Sequence, residues 1–129
     1  MTKKTTHIIG WVLTILIAFI FIASASMKLI GGPDAIKAAE SMGLTGGTIK
    51  LLGVMEIISI LLFIFPRTGI TGTLLLAAYL GGAIATHLVQ AQPFFAPLII
   101  QCILWITAII RFPELGRRLR GIEARPGSM

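Results

Sequence analysis

Three ionisable residues lie inside long apolar segments of this 129-residue chain: Lys28, Glu56 and His87. A charged group at membrane depth is costly, so such a residue marks a functional site by default. A carboxylate can accept a hydrogen bond or a proton, and an imidazole can relay a proton or contact a polar ligand. Gln101 is an uncharged companion in the last apolar segment. We therefore predict a ligand-binding pocket around Glu56 and His87, with Lys28 behind them.

The elements that must position these residues are membrane helices. The chain is 56% hydrophobic and only 12% charged, against about 45–50% and about 25% in average soluble domains. A spanning helix needs about 20 mostly apolar residues. Four segments meet or approach that length, over residues 8–29, 49–65, 69–89 and 94–110. The sequence predicts an all-α fold, namely a single integral membrane domain over residues 1–129. Its spans form a four-helix bundle in antiparallel, up-down order, followed by a basic tail over residues 111–129.

The connection between the first two spans has a helical pattern of its own. Pro33 and Asp34 are typical of a helix start, and Gly43 is typical of a stop. Ile36 and Ala39 recur between them at helical spacing, among polar residues. This predicts a short amphipathic helix at the outer surface. It serves either as a plain connector or as a lid over a pocket.

The distribution of positive charge predicts the orientation. Positive residues favour the cytoplasmic side of a membrane. With the N-terminus inside, that side holds Lys3, Lys4, Arg67, Arg111, Arg117, Arg118, Arg120 and Arg125, and the outer side holds Lys28, Lys37 and Lys50. Both termini are therefore predicted to be cytoplasmic, in a multi-pass protein of the bacterial cytoplasmic (inner) membrane. The net charge of +6 is assigned to orientation and to contact with anionic membrane lipid, and a nucleic-acid partner is excluded.

Helix geometry brings the polar residues to similar depth. At about 1.5 Å rise per residue, Glu56 and Gln101 lie roughly 10 Å, and His87 roughly 9 Å, from the outer end of the bundle. Ser24 shares a helix face with Lys28, and Tyr79 aligns with Thr86. The predicted pocket in the outer half comprises Ser24, Lys28, Glu56, Tyr79, Thr86, His87 and Gln101. The inner half is predicted to be apolar and closed. The alternative is a structural hydrogen-bond network that holds the helices together.

Several kinds of site are excluded by the residue count. A single cysteine, Cys102, cannot form an intramolecular disulfide. A structural zinc site needs four ligands, and Glu56 and His87 supply two, so no metal is predicted. His7 and His87 are expected at opposite membrane faces, which excludes bis-histidine haem. No self-sufficient catalytic site is visible.

Small residues in the third span predict close helix packing. Ala77, Gly81 and Ala85 recur at four-residue spacing, with Gly82 beside them. In lipid, small residues allow two helix backbones to approach closely. The face they form is predicted either to pack inside the bundle or to mediate a homo-oligomer.

Four stretches resemble the DoxX-like family of small four-helix bacterial membrane proteins: residues 26–29 (SMKL), 52–56 (LGVME), 64–68 (IFPRT) and 78–87 (AYLGGAIATH). Residues 92–94 (QPF) and 111–113 (RFP) also fit, so the resemblance covers residues 10–119. The stretch ending in His87 is the most specific. The resemblance implies a four-helix membrane bundle, with Lys28, Glu56 and His87 as the positions that match any common site.

The functional implication of this resemblance is a membrane subunit of a redox or stress-related assembly. A distant relative resembles the membrane subunit of an archaeal thiosulfate:quinone oxidoreductase, and others are associated with redox-stress complexes or with maturation of periplasmic enzymes. The expected ligand is a quinone or a lipid; a quinone is the one cofactor left open. Electron transfer would need a redox partner protein. The alternatives are a non-catalytic membrane scaffold and a small transporter that acts as an oligomer.

Overall fold

The computed structural model describes residues 2–121, and the regular elements in that range are all helical. They are α1 (Lys3–Ile30), α2 (Pro33–Ser41), α3 (Gly46–Ile64), α4 (Gly69–Val89), α5 (Phe95–Arg111) and α6 (Pro113–Leu119), with a 3-10 turn over Pro66–Thr68. The all-α class is confirmed. The short helix expected after the first span is α2. The last eight residues of the predicted tail lie outside the described range.

Local capping sets the helix ends. The Thr2 side chain accepts a hydrogen bond from the Thr5 N–H at 3.1 Å, which starts α1. Gly31 ends it in the left-handed conformation (φ 69°) and donates to the Met27 carbonyl. Thr45 caps α3 by accepting from the Thr48 N–H. α1 therefore begins before the apolar segment at residue 8, because the cap decides where a helix begins and hydropathy does not.

Prolines separate the elements at the other boundaries. Pro33 and Pro113 occupy first-turn positions of α2 and α6, where the missing N–H has no helical partner to lose. Phe112, directly before Pro113, leaves the helical region (φ −123°, ψ 83°), as residues before proline do. As a result, α5 and α6 are bent by 114° from one another.

The four long helices pack side by side in a ring. α1 and α4 each contact both α3 and α5. Their shared core is formed by Ile17, Phe21, Ile60, Phe63, Leu76, Leu80, Leu104, Ala108 and Phe112. These positions follow helical spacing on each element, so one apolar face of each helix points inward.

Glycine allows the closest backbone approach between α3 and α4. A Cβ on Gly72 would lie 2.2 Å from the Phe63 nitrogen, so only glycine fits there. The predicted small-residue face is elsewhere on α4: Gly81, Gly82 and Ala85 are exposed, and a Cβ on either glycine would meet nothing within 4 Å. These three residues therefore do not pack against another helix in this structure, because α4 turns its Gly72 face inward instead. The homo-oligomer alternative stays a prediction.

Helix length and surface composition are those of a chain in contact with lipid. Within residues 2–121, three helical segments are long and apolar enough to cross a membrane: Lys3–Ile30, Gly47–Ile64 and Pro66–Val89. α5 has 17 residues and reaches a comparable length only together with the bent α6. Large apolar side chains such as Phe19 and Leu74 are exposed. An aqueous surface of this kind would be a liability, whereas lipid solvates it.

Candidate functional site

Glu56 is the centre of a polar cluster between three helices. Its side chain is fully buried (0% exposed). Three donors converge on its Oε1 atom: Lys28 Nζ at 2.5 Å, the Tyr79 hydroxyl at 2.5 Å and Ser24 Oγ at 3.3 Å. Lys28 and Ser24 come from α1, Glu56 from α3 and Tyr79 from α4. Four of the seven predicted pocket residues are thus in direct contact.

The spacing on α1 explains how the lysine reaches the carboxylate. Ser24 and Lys28 are one helical turn apart and share a face. Lys28 Nζ donates to Ser24 Oγ as well as to Glu56, and it lies 5.9 Å from the centroid of the Tyr79 ring. The Lys28 side chain remains 20% exposed. The ammonium is therefore held at the edge of the cluster, between the buried carboxylate and the space outside it.

Two buried acceptor atoms are left without partners among residues 2–121. They are Glu56 Oε2 and Gln101 Oε1. A buried polar atom without a hydrogen bond costs about 1–3 kcal/mol. All three donors to Glu56 use the same oxygen, so the second oxygen keeps its full capacity to accept a hydrogen bond or a proton.

A cavity of about 880 Å³ lies beside this cluster. Small-molecule sites commonly enclose about 300–1,000 Å³. Its lining is mostly apolar and includes side chains from α1 to α5; the polar and ionisable lining residues are Ser24, Lys28, Thr48, Glu56, Ser59, Tyr79, Thr86 and His87. α2 contributes Ala35, Ala38 and Ala39 to this lining, and Met42 follows directly after the helix. The α2 helix, which the sequence left open as connector or lid, therefore forms part of the cavity wall.

His87 and Thr86 line the cavity, but their side chains bond only to their own helix. His87 Nδ1 lies 2.6 Å from the Ala83 carbonyl oxygen. A carbonyl only accepts, so Nδ1 carries the hydrogen and the Nε2 atom of the neutral ring is an acceptor. The Thr86 hydroxyl donates to the Gly82 carbonyl. Both residues thus belong to the cavity without contacting the Glu56 cluster through a hydrogen bond.

Gln101 is not among the residues that line this cavity. Its Nε2 atom donates to the Ala77 carbonyl at 3.2 Å, which links α5 to α4. The structure therefore does not bring Gln101 together with the other six predicted pocket residues. Depth along the helix was estimated from residue spacing, but the direction in which a side chain points depends on the rotation of the helix about its axis.

Comparison with known proteins gives one result. The sequence profile described as the DoxX-like family matches residues 12–110. The chain belongs to the DoxX-like family. No match was found among curated proteins or among solved structures. Family membership and the long apolar helices together indicate a membrane protein. The matched segment contains Glu56, Lys28 and His87, together with the other lining residues named above.

One strongly polar feature lies just beyond the segment matched to the DoxX-like family. Arg111 donates from Nη1 to the Phe63 carbonyl at 2.7 Å and from Nη2 to the Ile64 carbonyl at 3.0 Å. Its guanidinium carbon lies 5.0 Å from the Trp11 ring centroid and 4.9 Å from those of Phe63 and Phe112. The last carbonyls of a helix lack partners within it, so Arg111 completes the end of α3.

Arg111 makes the prediction of a closed, apolar inner half wrong. The sequence assigns this arginine to the charges that orient the chain and predicts no hydrogen-bond partner for it. Its position at the end of an apolar helix, directly before Phe112 and Pro113, was the available signal. Three threonines are also buried in this half: Thr14, Thr73 and Thr107, each donating to the carbonyl four residues earlier. These hydroxyls need no partner on another helix.

Residues 2–121 contain no cluster of three or more histidine, cysteine, aspartate or glutamate side chains able to hold a metal ion. Cys102 is exposed on the apolar surface of α5. The chemistry available at the Glu56 cavity is therefore hydrogen bonding, ion pairing and proton exchange.

Proposed function

We propose that the chain is a four-helix, antiparallel, up-down bundle in the bacterial cytoplasmic (inner) membrane, with both termini cytoplasmic. Support comes from the eight basic residues expected on one side against three on the other. In this orientation the Glu56 cluster and its cavity lie in the outer half of the bundle. The Arg111 end lies on the cytoplasmic side.

We further propose that the Glu56 cavity binds a quinone or a lipid, and that the protein is a membrane subunit of a redox or stress-related assembly. The observation that carries this proposal is the combination of about 880 Å³ of mostly apolar space with a compact polar cluster on one wall. An isoprenoid quinone has a long apolar tail and one polar ring, so its tail matches the apolar lining and its ring matches the polar cluster.

The charge of the cluster favours a neutral polar head. Lys28 and Glu56 form an ion pair without net charge, so an anionic headgroup would gain little attraction there. Lys28 has three N–H donors, and two are used by Ser24 and Glu56. The third can donate to a quinone carbonyl. The Nε2 acceptor of His87 suits the hydroxyl of the reduced form, so both forms of the ring find a matching group.

Electrons would have to come from a partner. The protein has one cysteine, and the cavity residues offer hydrogen bonds and protons only. Reduction of a quinone to a quinol takes two electrons and two protons. In this proposal a redox partner protein supplies the electrons, while Glu56 and His87 are placed to exchange the protons.

A scaffold role is the second candidate, and the exposed small face of α4 favours it. Gly81 and Ala85 are exposed and leave the backbone open to a neighbouring helix, whereas Gly82 borders the Glu56 cavity. A partner membrane protein or a second copy of this chain could pack there. Such a role would not require any occupant of the Glu56 cavity.

The test is a comparison of small molecules that co-purify with the protein in native membrane patches. Mass spectrometry is applied to the wild type, to Glu56→Gln and to the control Glu40→Gln. Glu40 is an exposed glutamate of α2 that does not line the cavity. We expect a quinone, or one enriched lipid, in the wild type and in Glu40→Gln but not in Glu56→Gln. Identical bulk lipid in all three samples would contradict ligand binding and favour the scaffold.

A further inference from the structure

A second cavity, of about 400 Å³, lies at the Arg111 end of the bundle. It is bounded by the first turns of α1, the turn after α3 and the end of α5. Three side chains of basic residue types line it: Lys3, His7 and Arg111. Trp11 and Phe112 form aromatic parts of the wall, and none of its lining residues is acidic. This is a basic site, in contrast to the charge-balanced Glu56 cluster.

Arg111 is held in place at this cavity before any ligand arrives. Two of its five N–H groups donate to the carbonyls of Phe63 and Ile64. The guanidinium also lies close to the Trp11 ring. Because these contacts fix the side chain, little conformational entropy remains to be lost when its other donors bind an anion. The arginine can therefore act in both roles, as the cap of α3 and as part of a binding site.

The length of α1 places this cavity at the level of the lipid headgroups. Its 28 residues extend about 42 Å at about 1.5 Å per residue. The hydrocarbon core of a bilayer is about 30 Å thick, and about 40–45 Å with the headgroups. The first turns of α1 therefore lie among the headgroups, where tryptophan side chains such as Trp11 are also enriched.

We propose that the Arg111 cavity binds the phosphate group of an anionic membrane phospholipid. Arginine and lysine donors match phosphate oxygens, and basic pockets between transmembrane helices are a known setting for such headgroups. The acyl chains would continue along the exposed apolar surface of the bundle. A soluble phosphate compound has the same chemistry and is the other source to be tested. The proposal is independent of the ligand of the Glu56 cavity.

Trp11 provides the measurement. The chain has two tryptophans, Trp11 and Trp105, so the Trp105→Phe variant reports from the cavity alone. We would reconstitute it in bilayers and compare quenching by brominated phosphatidylglycerol with quenching by brominated phosphatidylcholine. We expect a several-fold preference for phosphatidylglycerol at Trp11. The Trp11→Phe variant, which reports from Trp105, should show no headgroup preference.

Two neighbouring lysines separate a built site from general surface charge. Lys3 lines the cavity and Lys4 does not, although both are exposed residues in the first turn of α1. A basic residue at the membrane surface contributes about 1 kcal/mol, or about fivefold in affinity. Both lysines share this general attraction, but Lys3 alone can also donate a charge-assisted hydrogen bond to a phosphate in the cavity. Lys3→Gln should therefore reduce the preference about fivefold more than Lys4→Gln does. Equal effects of the two substitutions, or no preference in the parent variant, would overturn binding of a lipid phosphate.

A second arm identifies a soluble source of the phosphate. Thermal unfolding is measured in phosphatidylcholine bilayers with inorganic phosphate or with chloride at equal ionic strength. If the lipid proposal is correct, phosphate and chloride give the same midpoint. A rise with phosphate alone that is lost in Lys3→Gln would reassign the cavity to soluble phosphates and overturn the lipid assignment.

Discussion

Replacing Tyr79 with phenylalanine tests the contact between α4 and the buried carboxylate of Glu56. The substitution removes one of three donors to Oε1 and leaves Lys28 and Ser24 in place, so no new unpartnered atom appears. The ring keeps its edge contact with Phe21, 6.2 Å between centroids. Hydrogen bonds between transmembrane helices average about 0.6 kcal/mol and reach about 1.7 kcal/mol. A charged acceptor strengthens a hydrogen bond, so we expect a loss of about 1.5 kcal/mol.

Glu56→Gln should lower the free energy of unfolding more than Tyr79→Phe does. Removing one partner of a buried ion pair costs about 3–5 kcal/mol. Lys28 is 20% exposed and can extend toward the headgroups, so the lower end, about 3 kcal/mol, applies. A glutamine can still accept a neutral hydrogen bond from Tyr79, worth about 0.6 kcal/mol. The two substitutions should therefore be coupled by about 1 kcal/mol.

The assay is a double-mutant cycle on reversible unfolding in mixed micelles. The free energy of unfolding is measured for the wild type, Tyr79→Phe, Glu56→Gln and the double variant. Tyr79→Phe combined with Glu40→Gln is the control, and its two effects should add. If the effects of Tyr79→Phe and Glu56→Gln also add to within about 0.3 kcal/mol, the hydrogen bond between these two side chains is refuted. The cluster would then not connect α3 to α4 in the way described.

Three further predictions concern packing, the Arg111 end and orientation. Gly72→Ala should lower the free energy of unfolding by about 3 kcal/mol, because the new methyl meets backbone atoms, whereas Gly81→Ala should change it by at most about 1 kcal/mol; equal losses would contradict the packing. Arg111→Met should lower the free energy of unfolding by about 2–3 kcal/mol, because two hydrogen bonds to carbonyls are lost. Thermal unfolding is measured for this variant and for the exposed Arg118→Met. A loss in Arg111→Met no larger than that in Arg118→Met would contradict the contacts of Arg111. In a cysteine-free background, a membrane-impermeant maleimide added to intact cells should label Glu40→Cys and not Arg118→Cys; the opposite pattern would reverse the proposed orientation.

The central contact of the site, between Lys28 and Glu56, could be anticipated from residue type and from position along each helix. A lone charge in an apolar segment must find a partner. Glu56 is the only acid within the predicted spans, and Lys28 is the one lysine there besides Lys50, which is the second residue of its span. Glu56 is predicted to lie roughly 10 Å from the outer end of the bundle, and Lys28 is close to that end, from which its long side chain can reach inward. Ser24 followed from its position one turn before Lys28. Residue type and position along a helix are therefore enough to predict these contacts.

Rotation about the helix axis could not be anticipated. Gln101 has the expected depth, but it faces α4 at Ala77 and not the cavity. Gly81 has the right neighbours for close packing, yet α4 turns Gly72 toward α3. The four long helices are apolar on most sides, so sequence patterns do not single out the buried face of each one. The Arg111 contacts were missed for a related reason, since their acceptors are backbone carbonyls, which every residue has.

The two ends of the bundle are joined by different kinds of bond, and this has a mechanical consequence. At the Arg111 end, main-chain carbonyls of α3 receive donors from Arg111 and Thr68, and Gly72 brings two backbones into contact. At the Glu56 end, the hydrogen bonds that connect α1, α3 and α4 run between side chains, beside a large cavity. The first end should serve as a fixed pivot about which the helices tilt, so that a bulky ligand is admitted by spreading the second. Pairs of spin labels across the bundle should accordingly report broad distance distributions at the Glu56 end and narrow ones at the pivot.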